Sequence, residues 1–376
     1  FLIGGAERLS NNGRFLGYIR KTDINGVELW KRYINESTTS TNVLGVSENA
    51  NGELLLTGCN NDQMDGFAIK LNACGEKLWC KVFQISSQNL LNNNILLADN
   101  GYIIHADQNR YNYDRIWLYR LDAEGKLLWQ KCMEPDPDYF DETGYRTMLT
   151  NDSCILISGF NFFIREPGSN LGWFSPLWVK FDLDGNQLWD LTWYGNGYMA
   201  GNFGRTVQDA AGNYYSAGND GYKMIPNTSC FYKFSPDGVP LKKATVWNSA
   251  TSYTKAIAFF EDSTLFIGGA YGTVAGQDYS TSMVLRCDTT GQVLTTKDVP
   301  LYGFPVAYSA LTADNKVVAL GERVAPGMNH WETCLFKFNQ NLDYDSTYTV
   351  PRVYDSLCPH RSEEHTSELQ SHHDLV

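Results

Sequence analysis

The feature that most limits what this chain can become is a motif that recurs about every fifty residues. It is anchored on a glycine behind a short polar run: Gly26, Gly75, Gly125, Gly185, Gly238 and Gly291. Five residues before each stands a base, in order Lys21, Lys70, Arg120, Lys180, Lys233 and Arg286. Three residues before each stands Asp23, Asn72, Asp122, Asp182, Ser235 or Asp288, and four residues after the first four come Trp30, Trp79, Trp129 and Trp189. A seventh copy keeps Lys337 and Asn339 but has Leu342 in place of the glycine. Successive anchors are 49, 50, 60, 53, 53 and 51 residues apart. A fixed period of this size means repeated supersecondary units that bury their faces against one another.

Asp, Asn or Ser followed three residues later by Gly is turn chemistry: the side-chain oxygen caps backbone amides and the glycine accepts positive φ. Apolar strands such as 67–71 and 77–83 flank the turn and make it a hairpin. Another apolar strand precedes each hairpin and tends to end in glycine, as in Leu54–Gly58, Ile155–Gly159, Leu265–Gly269 and Val317–Gly321. A tight turn and a further short strand come before that. Four strands per period and no room for a helix predict an all-β, seven-bladed β-propeller of four-stranded antiparallel blades over residues 1–350. Residues 1–5 already read as the second strand of a blade. Seven copies of strands two to four but six first strands are therefore expected, with one inner strand to be supplied from elsewhere. The recurrent base is expected to lay its stem on the neighbouring blade with its charge in solvent, and the four tryptophans to pack between blades.

Residues 351–360 read as an exit linker towards a further C-terminal module. Residues 361–376 resemble the translation of a sequencing adapter and are expected to be a non-native tail. The net charge of −12 argues against nucleic acid and anionic membrane surfaces as partners. No run is long enough for membrane insertion by a helix. Nine cysteines, none in Cys-x-x-Cys spacing, are expected mostly as small buried hydrophobes. Before the tail only His105, His330 and His360 remain, and no nucleophile, metal or phosphate-loop motif is present. Asp182–Asn186 has the start of a calcium loop without its distal acid, and reads as the shared turn. Neither a metal nor a cofactor is expected.

The run Leu121–Trp129 resembles the tryptophan-docking repeat of quinoprotein dehydrogenases, but its Asp and the residue before its glycine depart from that pattern. The hairpin resembles the Asp-box of sialidase-like propellers, with the aromatic one residue too late. The blades at 70–81, 120–131 and 180–189 are more similar to Lys-Leu-Asp-x-x-Gly-x-x-Leu-Trp-x-Lys repeats of secreted and cell-surface propellers from Bacteroidetes-type bacteria. That resemblance covers nearly all of 1–350 and implies secretion or surface attachment. Such proteins often end in a type IX secretion sorting domain, which is not visible here.

Loop lengths point to where a ligand would sit. Turns between strands one and two, and three and four, are uniformly short, whereas second-to-third and inter-blade connections are long and varied. Long loops on a rigid scaffold are where binding residues concentrate. Those at 107–115, 133–145 and 160–177 and their counterparts supply Tyr111, Tyr113, Tyr139, Phe162, Phe163, Trp173, Phe174, Tyr194, Tyr198, Tyr222 and Trp331 as candidate ligand-binding residues. Aromatics beside carboxylates and amides suit a glycan or a protein ligand. The expected function is a non-catalytic binding or scaffold module. One alternative is a glycan-active hydrolase using carboxylates among Asp136, Asp138, Asp141 and Glu142. A quinoprotein-like dehydrogenase is a second.

Overall fold

The computed structural model describes residues 1–8, 13–34, 40–60, 65–83, 89–110, 113–133, 141–164, 172–193, 205–220, 228–247, 252–272, 280–303, 306, 308–324 and 331–351. Every regular element among them is a β-strand, and the strands form seven antiparallel sheets, the blades of a β-propeller. The chain divides into two compact units, one comprising Phe1–Cys132 with the segment from Tyr348, the other Met133–Thr347.

The first unit carries three blades. Blade 1 contains β1 (Leu2–Arg8), β2 (Phe15–Thr22) and β3 (Glu28–Tyr33). Blade 2 contains β4 (Thr41–Glu48), β5 (Leu54–Asn60), β6 (Asp65–Leu71) and β7 (Lys77–Phe83), and blade 3 contains β8 (Asn89–Leu96), β9 (Tyr102–Arg110), β10 (Tyr113–Leu121) and β11 (Leu127–Cys132). The second unit carries four. Blade 4 is β12 (Asp141–Leu149), β13 (Ile155–Ile164), β14 (Gly172–Phe181) and β15 (Gln187–Thr192). Blade 5 is β16 (Thr206–Gln208), β17 (Tyr214–Asp220), β18 (Thr228–Phe234) and β19 (Pro240–Trp247). Blade 6 is β20 (Ser252–Phe259), β21 (Leu265–Tyr271), β22 (Ser280–Cys287) and β23 (Val293–Gly303), and blade 7 is β24 (Tyr308–Leu311), β25 (Val317–Val324) and β26 (Trp331–Phe338). Strand order follows chain order in each sheet.

Among the described residues blade 1 has three strands and no first strand, as expected. Blade 7 differs from expectation at the other side: its fourth strand is reduced to one bridge, Phe338 to Tyr344. The chain leaves the sheet at Asp345, whose buried carboxylate accepts from Lys316 at 2.7 Å. Further on, Thr349 exchanges two hydrogen bonds with the Asn25 side chain, at 2.8 and 2.9 Å.

Burial is concentrated between successive blades. Ile19 and Trp30 of blade 1 pack with Leu54, Leu56 and Phe67 of blade 2. Trp178 of blade 4 meets Tyr232 and Phe234 of blade 5, with the Trp178 and Phe234 rings 4.9 Å apart. The middle strands are buried on both faces, which explains near-continuous apolar runs such as Leu54–Leu56 and Ile155–Ile157.

The hairpin turns are built as their composition demands. Asp23 Oδ1 accepts from the amides of Asn25 and Val27 at 2.8 and 2.9 Å, and Asn72, Asp122, Asp288 and Asn339 cap in the same way. Asp182 likewise accepts from Asn186, so the calcium-like run is the turn. The turn glycine is needed twice over. At Gly125 φ is +80°, and a Cβ there would stand 2.8 Å from the Trp79 ring of the preceding blade. Trp189 meets Gly238 in the same way and donates from Nε1 to Pro236 O at 3.1 Å. Trp30, Trp79 and Trp189 therefore pack between blades, as expected.

The recurrent cation behaves differently from expectation. Its charge is not in solvent: Lys21, Lys70, Arg120 and Lys180 are buried, Lys180 to 3 % exposure. Six of the seven pair with a carboxylate, five of them with one from the first turn of their own blade: Lys70 with Glu53 at 2.9 Å, Arg120 with Asp99, Lys180 with Asp152 at 2.7 Å, Arg286 with Asp262 and Lys337 with Asp314 at 2.5 Å. Lys233 of blade 5 instead lies over the Tyr215 ring, 4.9 Å from its centroid. Lys21, whose blade has no first strand, takes Glu48 of blade 2 at 2.7 Å. Three also donate to a turn carbonyl of the following blade: Lys70 to Ala123 at 3.1 Å, Lys180 to Pro236 at 3.3 Å and Arg286 to Gln340 at 3.1 Å. A buried ammonium needs such partners, because leaving it unpaired costs several kcal/mol.

These contacts set two expectations for stability. Burial alone would raise the Asp152 carboxyl, but hydrogen bonds from Lys180 and Thr150 hold it below its ordinary value. A depressed carboxyl stabilises the fold above about pH 4, and the contribution disappears as pH falls through the folded value. Lys180→Met should thus cost roughly 1–2 kcal/mol at pH 7, and the difference from the parent should shrink below pH 4. Urea titrations at pH 7 and pH 3.5 check both; a difference independent of pH would refute the pairing. Leu342 stands at φ +64° with its side chain fully buried beside Val317 and Phe338. The backbone strain costs about 1–2 kcal/mol, whereas the buried leucine is worth about 3 kcal/mol or more. Leu342→Gly should accordingly lower the denaturation midpoint, and a rise would show that the strain outweighs the burial.

Candidate ligand-binding site

At the ends where second strands turn into third, the structure replaces much of the expected loop with sheet. In blade 4, β13 and β14 pair without interruption from Ile155–Phe181 to Ile164–Gly172. Phe162 stands opposite Phe174 and Phe163 opposite Trp173. The 160–177 insertion is thus largely a ladder extension. Aromatic residues occupy paired register positions across it, a combination that favours antiparallel strands. In blade 3, β9 and β10 likewise run on to Arg110–Tyr113, so most of 107–115 is strand. Trp331 opens β26 opposite Val324. Tyr111, Tyr139, Tyr194, Tyr198 and Tyr222 lie outside the described residues, as do Asp136 and Asp138. Asp141 and Glu142 are not in a loop but begin β12, opposite Phe162 and Asn161.

A second group of residues is brought together by the first strands of blades 4–7, and sequence reading missed it. In blades 2, 3, 4 and 6 the first strand carries one extra residue against the second: Leu44, Asn92, Tyr145 and Lys255. In blades 2 and 4 a second-strand glycine makes room for this bulge. A Cβ on Gly159 would stand 1.8 Å from Thr143 O, and one on Gly58 1.9 Å from Asn42 O. Bulges re-aim the residues that follow them. Directly after the bulge in blade 4 comes Arg146, opposite Ser158. Tyr308 in blade 7 holds the same station, opposite Leu320. So does Arg205, just before β16, whose carbonyl accepts from the Ala217 amide at 3.3 Å. Ser158, Ala217 and Leu320 are each followed by the second-strand glycine.

These side chains reach past intervening blades. The Arg146 guanidinium lies over the Tyr308 ring, 4.3 Å from its centroid, and Arg146 Nη1 donates to Tyr145 O at 3.2 Å. Arg205 Nη1 donates to Ser309 O at 2.6 Å. Residues of blades 4 and 5 thus meet blade 7 across the space that the first strands of this unit enclose. Arg205 is an exposed residue. Even so, desolvation by the surrounding protein, and then the Arg146 charge, push its guanidinium below its ordinary value. The station holds Gly45, Asn93, Arg146, Arg205, Ala256 and Tyr308 in successive blades. It carries no repeat signal, so alignment on the repeat passes over it.

The titratable groups elsewhere serve packing. His105 is fully buried in β9, with Nε2 3.4 Å from Asp107; His330 and His360 lie outside the described residues. Cys59, Cys230 and Cys287 are buried free thiols, and burial pushes Cys59 up to about 11 and Cys287 up to about 12. Cys80 and Cys132 are exposed, and Cys74 is disulfide-bonded, unlike the buried thiols expected for most of the cysteines.

No family model matches the chain, and no curated protein sequence is similar to it. Solved structures do share its fold. A protein of unknown function from Dyadobacter fermentans aligns with TM-score 0.50 at 9 % identity, over 78 % of this chain and 93 % of its own. A polysaccharide lyase of family PL25, an ulvan lyase bound to a glucuronate–rhamnose 3-sulfate saccharide, aligns with TM-score 0.55 at 9 % identity, over 95 % and 92 %. A puromycin hydrolase aligns with TM-score 0.55 at 11 % identity, over 93 % of this chain but 52 % of its own. At these identities the likeness establishes the propeller fold and nothing finer.

Proposed function

We propose that this propeller is a non-catalytic binding or scaffold module, secreted or attached to the cell surface, that takes a glycan or protein ligand at the second-to-third-strand ends of its blades. The observation that carries this reading is the extended hairpin of blade 4. It sets Phe162 against Phe174 and Phe163 against Trp173 on paired ten-residue strands. Aromatic groups fixed on a strand ladder give a ligand apolar contact at low entropic cost, unlike aromatics on an unpaired loop. Tyr113 and Trp331 hold corresponding hairpin-end positions in blades 3 and 7. Tyr111, Tyr139, Tyr194, Tyr198 and Tyr222 belong to the same set by sequence position. The resemblance of the blade motif to exported bacterial propellers supports the location, and the bonded Cys74 fits an oxidising compartment.

A second reading is a glycan-active enzyme. Asp141 and Glu142 begin β12 beside the aromatic hairpin, and the ulvan lyase shows that this fold can act on a polysaccharide. Glycosidase chemistry needs two carboxyl groups about 5–10 Å apart across the substrate. Two neighbours on one strand do not by themselves supply that arrangement. The dehydrogenase alternative rests on the Leu121–Trp129 run alone, whose Asp and the residue before its glycine depart from the docking pattern.

A glycan array probed with the parent protein and with Trp173→Ala should show a set of bound saccharides whose affinity falls at least ten-fold in the variant. Release of shorter saccharides from a bound glycan, lost in Asp141→Asn or Glu142→Gln, would replace the binding reading with the enzymatic one. An array with no bound glycan, together with capture of a protein ligand insensitive to Trp173→Ala, would remove the hairpin end from consideration.

A further inference from the structure

We propose that Arg146, Arg205 and Tyr308 form a binding site for a tetrahedral oxyanion, a sulfate or phosphate group, in the space enclosed by the first strands of blades 4–7. The site is separate from the hairpin-end aromatics and does not rest on them.

Of the seven recurrent turn cations, Lys21, Lys70, Arg120, Lys180, Arg286 and Lys337 each have a carboxylate partner, and Lys233 lies over the Tyr215 ring. The protein is rich in acids, 42 against 30 bases, so partners are not scarce. Arg146 and Arg205 nevertheless form no ion pair among the described residues. They stand close enough for the charge of one to depress the other. Two like charges in a crowded, partly desolvated setting weaken the fold unless an anion offsets them.

Their remaining hydrogen-bonding capacity points the same way. A guanidinium has five N–H donors. Arg205 is seen to use Nη1 on Ser309 O, and Arg146 uses Nη1 on Tyr145 O at a longer 3.2 Å. Tyr308 covers one face of Arg146 and holds its plane, leaving the in-plane donors as the free edge. Such stacking fixes an arginine in the orientation that recognises oxyanions. A carboxylate's two oxygens are satisfied by one arginine in a bidentate pair, whereas a tetrahedral anion has oxygens for a second. Convergence of two arginines from separate blades therefore fits sulfate or phosphate better than a carboxylate.

The positions are also built rather than incidental. All three residues occupy one station of the first strand, after the place where blades 2, 3, 4 and 6 carry a bulge. Arg205 is tied at both ends, its amide donating to Lys255 O at 3.1 Å and its Nη1 to Ser309 O at 2.6 Å. Such tethering lowers the entropy lost on binding.

The test is thermal unfolding and calorimetric titration of the full chain with inorganic sulfate, inorganic phosphate, a monosaccharide sulfate and acetate, with sodium chloride holding ionic strength constant. The expected result is a rise in the unfolding midpoint with sulfate or phosphate that grows with the logarithm of concentration. Arg146→Gln and Arg205→Gln should each weaken binding at least ten-fold, while the ligand-free midpoint stays equal or rises as the repulsion is relieved. Arg205→Lys should retain charge but lose most of the affinity. Tighter binding of the sugar sulfate than of the free ion would identify an esterified ligand, and equal binding a free ion, both within the proposal. A midpoint that responds to acetate as strongly as to sulfate would overturn the tetrahedral assignment. No response beyond chloride in the parent, or an undiminished response when both arginines are replaced, would overturn the site.

Discussion

The fold depends on a buried cation that two blades share. Lys70, Lys180 and Arg286 each pair with a carboxylate in the first turn of their own blade and donate to a carbonyl in the last turn of the next. An exposed ion pair would add little, about 0–1 kcal/mol. Here the ammonium or guanidinium is largely withdrawn from water, so each partner is required to offset desolvation. The contact is also directional. It is satisfied when the next blade presents its turn at one height and one angle, and the tryptophan beside it, seated on a turn glycine, imposes the same condition by shape.

That constraint makes the two ends of each blade unequal. The end holding the short turns is occupied by capped Asp or Asn, a left-handed glycine, the indole and the clamped cation. Little there can vary without leaving a buried charge unpaired. Among the described residues the opposite end shows no such repeated contact, and hairpins there can lengthen, as β13 and β14 have done. Variation at the inner edge has another source. The second-strand glycine admits a carbonyl at a distance no side chain would allow. The resulting bulge, seen in blades 2, 4 and 6 opposite that glycine, frees one first-strand station for whatever residue the enclosed space can use.

Much of this was legible in the residues, for identifiable reasons. Blade number, turn type and the packing role of Trp79 and Trp189 were readable because turn caps and glycine conformations are local and repeat. The cation was misjudged because lysine stems usually carry their charge to water. Its partners hold one turn position at Asp99, Asp152, Asp262 and Asp314 but shift to Glu53 in blade 2, and they lie 17–28 residues before or after the base rather than inside the hairpin motif. The loops at 107–115 and 160–177 were overestimated because β13 and β14 gain their extra rungs from each other, a pairing that neither segment announces alone. The missing fourth strand of blade 7 turns on Asp345 being held by Lys316, a contact to an earlier strand connection that composition does not show.

The sequence by itself determined the architecture: a periodic, all-β chain whose turn residues allow few backbone paths and whose near-continuous apolar strands must bury both faces. Tertiary structure alone decided which side chains meet. Arg146, Arg205 and Tyr308 are far apart along the chain, and no pattern links them. They come together because the same station recurs in separate blades and each first strand faces the space the others enclose. Local chemistry repeats and can be read from order. Contact between equivalent positions of different repeats depends on how blades stack, and that stacking is set by the shared cations and indoles rather than by the residues it brings together.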